Sequence, residues 1–381
     1  MGDESATAPH EVTELQRSSR DRGELTERLG AWLTAKLPDG SHPRIHGVEG
    51  TSANGMSSET LLFDATWSED GADRRHRLVA RVAPGADDVP VFPRYDLPGQ
   101  FAAIRLVGEL TDVPVPRVWW CEADAAPLGA PFFVMSRVDG RVPPDVMPYN
   151  FGDSWLYDAE PADQRHLQDA TVDVLARLHA VDRATERFAF LEPDGSPGGS
   201  PLRRRVAGTR AWYEFAAADG FTSPLVERGF AWLDDHWPTH EGASVLSWGD
   251  SRIGNMMYDG FDPVAVLDWE MAGVGPRELD VAWLVYGHRI FEDIAAQMGL
   301  GGMPGFLRLE DVASTYERRA GHAPRDLAWY GTYAALQYAI VFLRTGARAV
   351  HFGEMERPAV TDDLIMNRDA VERMLAGTYW S

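Results

Sequence analysis

The chain has 381 residues, 44% of them hydrophobic, and a formal net charge of −22. This length and apolar content allow a large core divided over about two lobes or domains. The charge argues against a nucleic-acid partner, whose phosphates are bound by Lys and Arg. Since Cys121 is the only cysteine, an internal disulfide is excluded and a reducing compartment is expected.

The apolar runs predict a protein without membrane contact. None approaches the roughly 18 residues that a membrane-spanning helix needs. Residues 1–10 are small and acidic, unlike the basic and then apolar start of a secretion signal. We therefore expect a cytoplasmic protein that is a monomer or a weak dimer.

The first third of the chain predicts a small β-rich lobe. Leucines and Trp32 recur at helical spacing over residues 11–37, and Pro38-Asp39-Gly40 would end this helix. Alternation and β-branched residues then predict strands, a helix and an interlobe linker. The strands are expected over 44–49, 61–67, 78–82 and 117–122, the helix over 97–110, and the last strand with the linker over 131–140.

A loop rich in Gly and Ser joins the first two predicted strands, over residues 50–58. Backbone N–H groups and hydroxyls of such a loop can bind phosphates, although an ordinary hairpin turn has the same composition. The candidate phosphate contacts in it are Ser52, Gly55, Ser57 and Ser58. On the third strand, Arg81 would grip phosphate oxygens with two N–H groups, the alternative being a surface arginine.

The polar residues that carry the chemistry lie between residues 245 and 280. Asp250 and Asn255 are five positions apart, the spacing of a kinase catalytic loop, in which the Asp takes the proton of the attacking hydroxyl and the Asn holds Mg²⁺. Asp268 follows an apolar run, as a second magnesium ligand would. Strands predicted over 245–246, 256–258 and 264–267 could present all three side chains to one cleft.

This stretch resembles the signature of the aminoglycoside phosphotransferase family, usually H-G-D-x-x-x-x-N followed by D-x-[DE] and a later Asp. The matching residues here are Gly249, Asp250, Asn255, Asp268, Trp269, Glu270 and Asp280. G-M-S-S-E-T and D-V-P-V-P-R-V further resemble a branch from mycobacteria and related actinobacteria. Trp248 stands where most relatives have His, which leaves open how the catalytic loop is braced.

The resemblance implies an α+β, bilobal, protein-kinase-like fold. Residues 1–138 would form the nucleotide-binding lobe and residues 139–381 an α-rich lobe for catalysis and substrate. Asp250 would be the catalytic base, and Asn255 and Asp268 would hold Mg²⁺. The residues expected to brace the catalytic loop are Arg252, Glu270 and Asp280.

The resemblance also suggests nucleotide contacts outside this stretch. Backbone groups near Ser136 and Val138 would meet the adenine edge. Gln100 takes the place of the kinase Glu that pairs with the strand cation, so its carbonyl would accept a hydrogen bond from Arg81.

The rest of the large lobe predicts helices over 164–180, 277–298, 309–319, 326–344 and 361–375. The basic run 203–205 is expected to be solvated. Several aromatic and polar side chains could wall a substrate pocket, the alternative for each being core or surface. They are Tyr286, His288, Glu292, Trp329 and Tyr333.

The function expected is phosphoryl transfer from ATP or GTP to a hydroxyl of a small molecule, with Mg²⁺. A protein substrate is disfavoured because Asp268 and Asp280 are only twelve positions apart, which leaves no room for a peptide-docking segment. The family includes enzymes for aminoglycosides, macrolides, choline, sugars and hydroxyacyl compounds. Net acidity favours a cationic acceptor, although acidity for solubility is the alternative. A nucleotide-binding pseudokinase without turnover, suggested by Trp248 and Gln100, is the other functional class.

Overall fold

The computed structural model describes residues 22–50, 58–85, 89–192 and 198–380. A small N-terminal lobe is built on one antiparallel sheet, and a larger C-terminal lobe is mostly helical. The predicted α+β, bilobal, protein-kinase-like fold is confirmed. No helix within the described ranges is long and apolar enough to cross a membrane.

The N-terminal lobe is a five-stranded sheet in the order β1-β2-β3-β5-β4, with every neighbouring pair antiparallel. Helix α1 packs Leu29, Trp32 and Leu33 on the face of the sheet that carries the buried side chains of β2. The elements are α1 (Arg22–Lys36), β1 (Arg44–Gly50), β2 (Glu59–Glu69), β3 (Ala72–Val82), α2 (Leu97–Leu110), β4 (Val118–Glu122) and β5 (Phe132–Ser136).

The predicted strands of this lobe are present, and α2 has the predicted bounds. Of the helix predicted over residues 11–37, α1 covers Arg22–Lys36, and residues 11–21 lie outside the described residues. The hairpin of β2 and β3 is longer than predicted because its outer half is polar and therefore lacks an apolar signal. Arg75 forms an ion pair with Asp64 across the strands. The turn places Asp70 at φ +51° and Gly71 at φ +80°, as a tight hairpin turn requires.

Residues 89–96, the strap, leave the sheet after β3 and pack against the C-terminal lobe before α2 begins. Val91 is 2% exposed within the helical core, and its carbonyl accepts a hydrogen bond of 2.9 Å from Trp212 Nε1. Phe92 stacks on the ring of Trp212 with centroids 4.8 Å apart. Arg344 Nε donates to the carbonyl of Pro90 at 2.9 Å. The strap thus ties the two lobes together on one side of the cleft.

In the C-terminal lobe, helices surround two small two-stranded sheets. One sheet pairs β6 with β9, and the other pairs β7 with β8. Short 3₁₀ turns span Ala189–Leu191, Ile253–Asn255 and Thr361–Leu364. The elements are α3 (Pro161–His179), α4 (Ala184–Arg187), α5 (Pro201–Ala217), α6 (Pro224–Asp235), β6 (Ser244–Ser247), β7 (Met256–Asp259), β8 (Asp262–Val266), β9 (Gly273–Pro276), α7 (Glu278–Gln297), α8 (Leu309–Ala320), α9 (Leu327–His351) and α10 (Arg368–Leu375).

The structure corrects several predictions for this lobe. Helices α5 and α6 were not predicted, although Ser200-Pro201 and Ser223-Pro224 supply the N-cap and N1 residues that start a helix. The helix predicted over 361–375 is interrupted, because the buried Asn367 side chain donates to Tyr286 Oη and to the Ala335 carbonyl at 2.9 Å each. The 326–344 helix continues to His351.

The suggested pocket residues are mostly core residues. Tyr286, His288, Trp329 and Tyr333 are buried. His288 Nδ1 lies 2.8 Å from Tyr149 Oη, and its Nε2 lies 3.2 Å from the Met303 carbonyl. Burial lowers the pKa of His288 to about 3.

The buried His288 predicts a loss of stability in weak acid. The folded protein keeps this imidazole neutral down to about pH 3, whereas the unfolded chain protonates it below its ordinary pKa of about 6.5. Stability is therefore lost as pH falls from 6.5 towards 3, by about 1.4 kcal/mol per pH unit. Between pH 7 and pH 5, we expect the free energy of unfolding of His288→Gln to fall by about 2 kcal/mol less than that of the wild type. Urea unfolding at the two pH values measures this difference.

The matched control is His322→Gln, which changes an exposed histidine and should leave the pH dependence of unfolding as in the wild type. Parallel pH curves for His288→Gln and the wild type would contradict this assignment.

Candidate active site

The catalytic loop, residues 247–255, is anchored at its base by Asp280 of α7. This fully buried carboxylate accepts hydrogen bonds from Trp248 N (2.7 Å), Gly249 N (2.9 Å) and Ser247 Oγ (2.8 Å). Its Oδ2 also lies 2.9 Å from His179 Nε2. Burial by itself would raise the pKa of Asp280, but His179 and the donors of Gly249 and Ser247 hold the pKa below its usual value. The loop is therefore built around a buried negative charge.

The tryptophan in place of the usual His connects two parts of the site. Trp248 is completely buried, and its Nε1 donates to the carbonyls of Leu267 (2.8 Å) and Asp268 (3.2 Å). The indole thus joins the catalytic loop to the chain segment that carries Asp268. It supplies the bracing that the sequence left open.

The carboxylate of Asp250 is held by donors from two elements. Trp283 Nε1 of α7 donates to Oδ1 at 2.7 Å, and Arg252 Nε lies 3.1 Å from the same oxygen. Tyr338 of α9 stacks on the Trp283 ring with centroids 4.6 Å apart. The Asp250 side chain remains 15% exposed, so it is oriented by its neighbours and still open to a substrate.

Asn255 and Asp268 are linked to Asp250 through hydrogen bonds. Asn255 Nδ2 donates to the Asp250 carbonyl at 3.1 Å, so Oδ1 is the polar atom of this side chain that the hydrogen bond does not use. The Asn255 carbonyl accepts from Leu267 N at 2.8 Å, next to Asp268. Asp268 itself has φ +55°, and its buried Oδ1 has no hydrogen-bond partner among the described residues. Amide and carboxylate oxygens are hard ligands of the kind that Mg²⁺ prefers, so the chemistry of Asn255 and Asp268 fits this ion.

Arg81 of β3 faces the same region from the N-terminal lobe. Its Nη1 donates to Thr60 Oγ1 at 2.9 Å, and its Nη2 lies 3.6 Å from Asp268 Oδ2. The predicted hydrogen bond to Gln100 is wrong. Gln100 is buried and lines the same small pocket, but the guanidinium turns to the Asp268 carboxylate, which attracts it more strongly than a neutral amide does.

The remaining predicted nucleotide contacts that the structure describes lie on or next to strands of the N-terminal sheet. Ser58 Oγ, just before β2, is buried without a hydrogen-bond partner in the described part of the chain. Ser136 Oγ accepts from Trp119 Nε1 at 2.9 Å, and half-buried Val138 follows β5. The predicted contacts Ser52, Gly55 and Ser57 lie outside the described residues.

Glu270 follows Trp269 on the segment after Asp268. It is half-buried, and its carboxylate interacts electrostatically with Tyr95 of the strap. Burial raises the pKa of Tyr95 to about 12, and the Glu270 carboxylate adds to this increase. Tyr95 Oη also accepts a hydrogen bond of 3.2 Å from Phe92 N. The bracing role of Glu270 stays a prediction.

Sequence reasoning missed three residues of the site. Trp283 lies one helical turn after Asp280, a spacing that could have revealed it. Asp145 pairs with Arg252 and had no local signal. Arg205, predicted to be solvated, is half-buried and donates from Nη1 and Nη2 to the Met271 carbonyl at 3.0 and 3.1 Å. Its Nη2 lies 3.3 Å from Ser247 Oγ.

The fold and the site together define the protein-kinase-like class of phosphotransferases. The shared features are a small antiparallel sheet next to a helical lobe, a D-x-x-x-x-N loop, and a further Asp after a hairpin. Residues 60–335 match the profile of the phosphotransferase enzyme family APH. The chain belongs to this family and is a small-molecule phosphotransferase.

Sequence relatives include parts of much longer proteins. The chain is 28% identical over 259 residues to mouse acyl-CoA dehydrogenase family member 10, covering 66% of this chain and 22% of that protein. It is 26% identical over 315 residues to the probable acyl-CoA dehydrogenase IBR3 of Arabidopsis thaliana, covering 78% of this chain and 36% of that protein. The chain thus spans about a fifth to a third of these curated relatives.

Solved structures share the fold at low identity. A macrolide 2′-phosphotransferase type I has a TM-score of 0.55 and 19% identity, over 89% of this chain and 96% of that one. Aminoglycoside phosphotransferase APH(4)-Ia, in complex with ADP and hygromycin B, has a TM-score of 0.54 and 16% identity, over 91% and 98%. Such identities establish a common fold, not a common substrate.

Gly249 is a position in the catalytic loop that tolerates no side chain. It has φ +92°, and a Cβ atom would lie 2.2 Å from the Met271 carbonyl oxygen. We expect Gly249→Ala to lower the free energy of unfolding by about 3 kcal/mol or more, from backbone strain and steric overlap together. Urea unfolding measures this loss.

Gly260→Ala is the matched control, because Gly260 also has a positive φ (+59°) but open space around its missing Cβ. It should lose about 1 kcal/mol from backbone strain alone. Equal losses of unfolding free energy in the two variants would show that the Met271 carbonyl does not lie close enough to Gly249 to exclude a side chain.

Proposed function

We propose that the chain transfers the terminal phosphate of ATP or GTP to a hydroxyl of a small molecule, with Mg²⁺ as cofactor. The observation that supports the proposal is the set of hydrogen bonds that joins the chain segments of Asp250, Asn255 and Asp268. A proton acceptor and two ligand oxygens are what phosphoryl transfer asks of a protein. The bound ADP and AMP-PNP of APH(4)-Ia structures support a nucleotide as the donor.

In the proposed reaction, Asp250 accepts the proton of the acceptor hydroxyl. The hydroxyl oxygen forms a bond to the γ-phosphorus while the bond from that phosphorus to the β–γ bridging oxygen breaks, so the products are a phosphate ester and a nucleoside diphosphate. Trp283 fixes one oxygen of Asp250 at 2.7 Å and so orients the carboxylate towards the hydroxyl. Arg81 would hold phosphate oxygens from the N-terminal lobe.

The magnesium site would be formed by Asn255 Oδ1 and Asp268, whose Oδ1 is buried without a partner among the described residues. When bound, the ion would supply positive charge that offsets the negative charge of the phosphates. Arg81, whose Nη2 lies 3.6 Å from Asp268 Oδ2, would add a second positive charge beside this site from the N-terminal lobe.

We propose a metabolite alcohol of the hydroxyacyl type as the acceptor. The curated relatives are named as acyl-CoA dehydrogenases, and the matched region accounts for a minor part of each. A phosphotransferase joined to such an enzyme would reasonably act on a related acyl compound. A cationic aminoglycoside is the second candidate, favoured by the net charge of −22 and by the hygromycin B bound to APH(4)-Ia.

The direct test is a panel of hydroxyacyl compounds, aminoglycosides, macrolides, choline and sugars, scored by release of ADP or GDP with Mg²⁺. We expect at least one acceptor to raise release above that with water. Nucleotide binding without acceptor-dependent release from any member would favour the pseudokinase instead.

Asp250→Asn should lower turnover with that acceptor by about 10²–10⁴-fold, or roughly 3–5.5 kcal/mol of transition-state stabilisation, with nucleotide affinity nearly unchanged. Asp259→Asn, which changes an exposed carboxylate at the end of β7, is the control and should have wild-type turnover. Full turnover in Asp250→Asn would remove Asp250 as the base.

A further inference from the structure

A second carboxylate stands behind the proposed base. Asp145, in the loop that follows the interlobe linker, accepts a hydrogen bond from Arg252 Nη1. The Nε of the same Arg252 lies 3.1 Å from Asp250 Oδ1 and 3.3 Å from its Oδ2. The side chains of Asp145 and Arg252 are only 18% and 21% exposed. One guanidinium therefore bridges two shielded carboxylates, and only one of these is the proposed base.

The loop that carries Asp145 is fixed to α7. Tyr149 Oη lies 2.8 Å from His288 Nδ1, and Asn150 Nδ2 donates to Glu292 Oε1 at 2.7 Å. Helix α7 also supplies Trp283, which donates to Asp250. The same helix thus holds both carboxylates at a defined separation.

Gly254 is the close neighbour that allows this arrangement. A Cβ at Gly254 would lie 2.5 Å from both Asp145 Oδ1 and Arg252 Nη1. Its backbone is not in the left-handed region, so the absence of a side chain there leaves room for the ion pair and does not relieve backbone strain. The pair occupies space that almost any other residue would fill.

We propose that Asp145 is a positioning residue for phosphoryl transfer, acting on Asp250 through Arg252. The inference rests on the proposed role of Asp250 as base. A guanidinium prefers to grip a carboxylate with two N–H groups. Asp145 engages Nη1, so Arg252 offers Asp250 a single N–H group. This steadies the base and leaves lone pairs on its oxygens for the acceptor hydroxyl.

Without Asp145, Arg252 is free to turn its second N–H group onto Asp250 and compete with the acceptor hydroxyl. Asp145→Asn should therefore lower kcat by about 10–100-fold, the scale expected for a misplaced catalytic group. The KM for MgATP and the dissociation constant of MgADP should stay within about twofold of the wild type, because Asp145 acts on the base and not on the nucleotide. Asp145→Glu, which restores the charge, should recover most of the loss.

Gly254→Ala provides a second variant that alters no charge. Its Cβ pushes Asp145 and Arg252 apart, so kcat should fall as in Asp145→Asn, again with unchanged MgADP binding. The matched control is Asp363→Asn, which removes another Asp–Arg pair, the one with Arg368 at 2.7 Å on the surface. That variant should keep wild-type kcat.

All variants are assayed in the full chain by release of ADP from MgATP, with the acceptor found in the panel and with water. Thermal unfolding identifies any variant that does not fold. If Asp145→Asn does not fold, the kcat of Gly254→Ala tests the positioning role in its place. Wild-type kcat in a folded Asp145→Asn or Gly254→Ala would overturn the positioning role, provided that Asp250→Asn is inactive. If Asp250→Asn is itself active, the base assignment fails instead.

Discussion

The buried carboxylate of Asp280 is the interaction on which the rest of the site depends. Removing a charge from water is costly unless the charge is paired and hydrogen-bonded, and Asp280 meets this cost with donors from Ser247, Trp248 and Gly249 and with the neighbouring His179. Because three consecutive residues of the catalytic loop supply those donors, the loop cannot shift without leaving the charge unpaired. The residue that follows them, Asp250, inherits this fixed position.

Other contacts connect this loop to the segment of Asp268, the proposed metal ligand, and to the second lobe. Trp248 takes up the carbonyls of Leu267 and Asp268, and Asn255 bonds the backbone of Asp250. The strap packs Val91 into the helical core and ends near Glu270, on the segment that follows Asp268. Hydrogen bonds to the backbone therefore hold the catalytic loop and the segment of Asp268 in place. Electrostatic preorganisation of a site for nucleotide and acceptor requires groups fixed in this way.

Much of this organisation could be predicted from the sequence, because its signals are local. Helix 97–110 has clear periodicity, and the spacing of Asp250, Asn255 and Asp268 indicates a catalytic loop and a hairpin. The missed features depend on distant parts of the chain. The pair of Asp145 and Arg252 is separated by 107 positions, and the bond of Trp212 to the strap by 121. The predicted bond of Arg81 to Gln100 was wrong because Asp268, which attracts the guanidinium, is distant in sequence from both residues. Neither β3 nor α2 indicates that this carboxylate lies nearby.

The most direct test of the account is a crystal structure with AMP-PNP and Mn²⁺, in which anomalous scattering locates the metal. The account predicts a metal ion bound at about 2.1 Å by Asn255 Oδ1 and an Asp268 oxygen, as hard cations bind in such sites. It also predicts that the free side of the Asp250 carboxylate faces the terminal phosphate across a gap wide enough for one hydroxyl. Metal and phosphates bound away from Asn255 and Asp268, or an Asp250 carboxylate turned away from that phosphate, would contradict it.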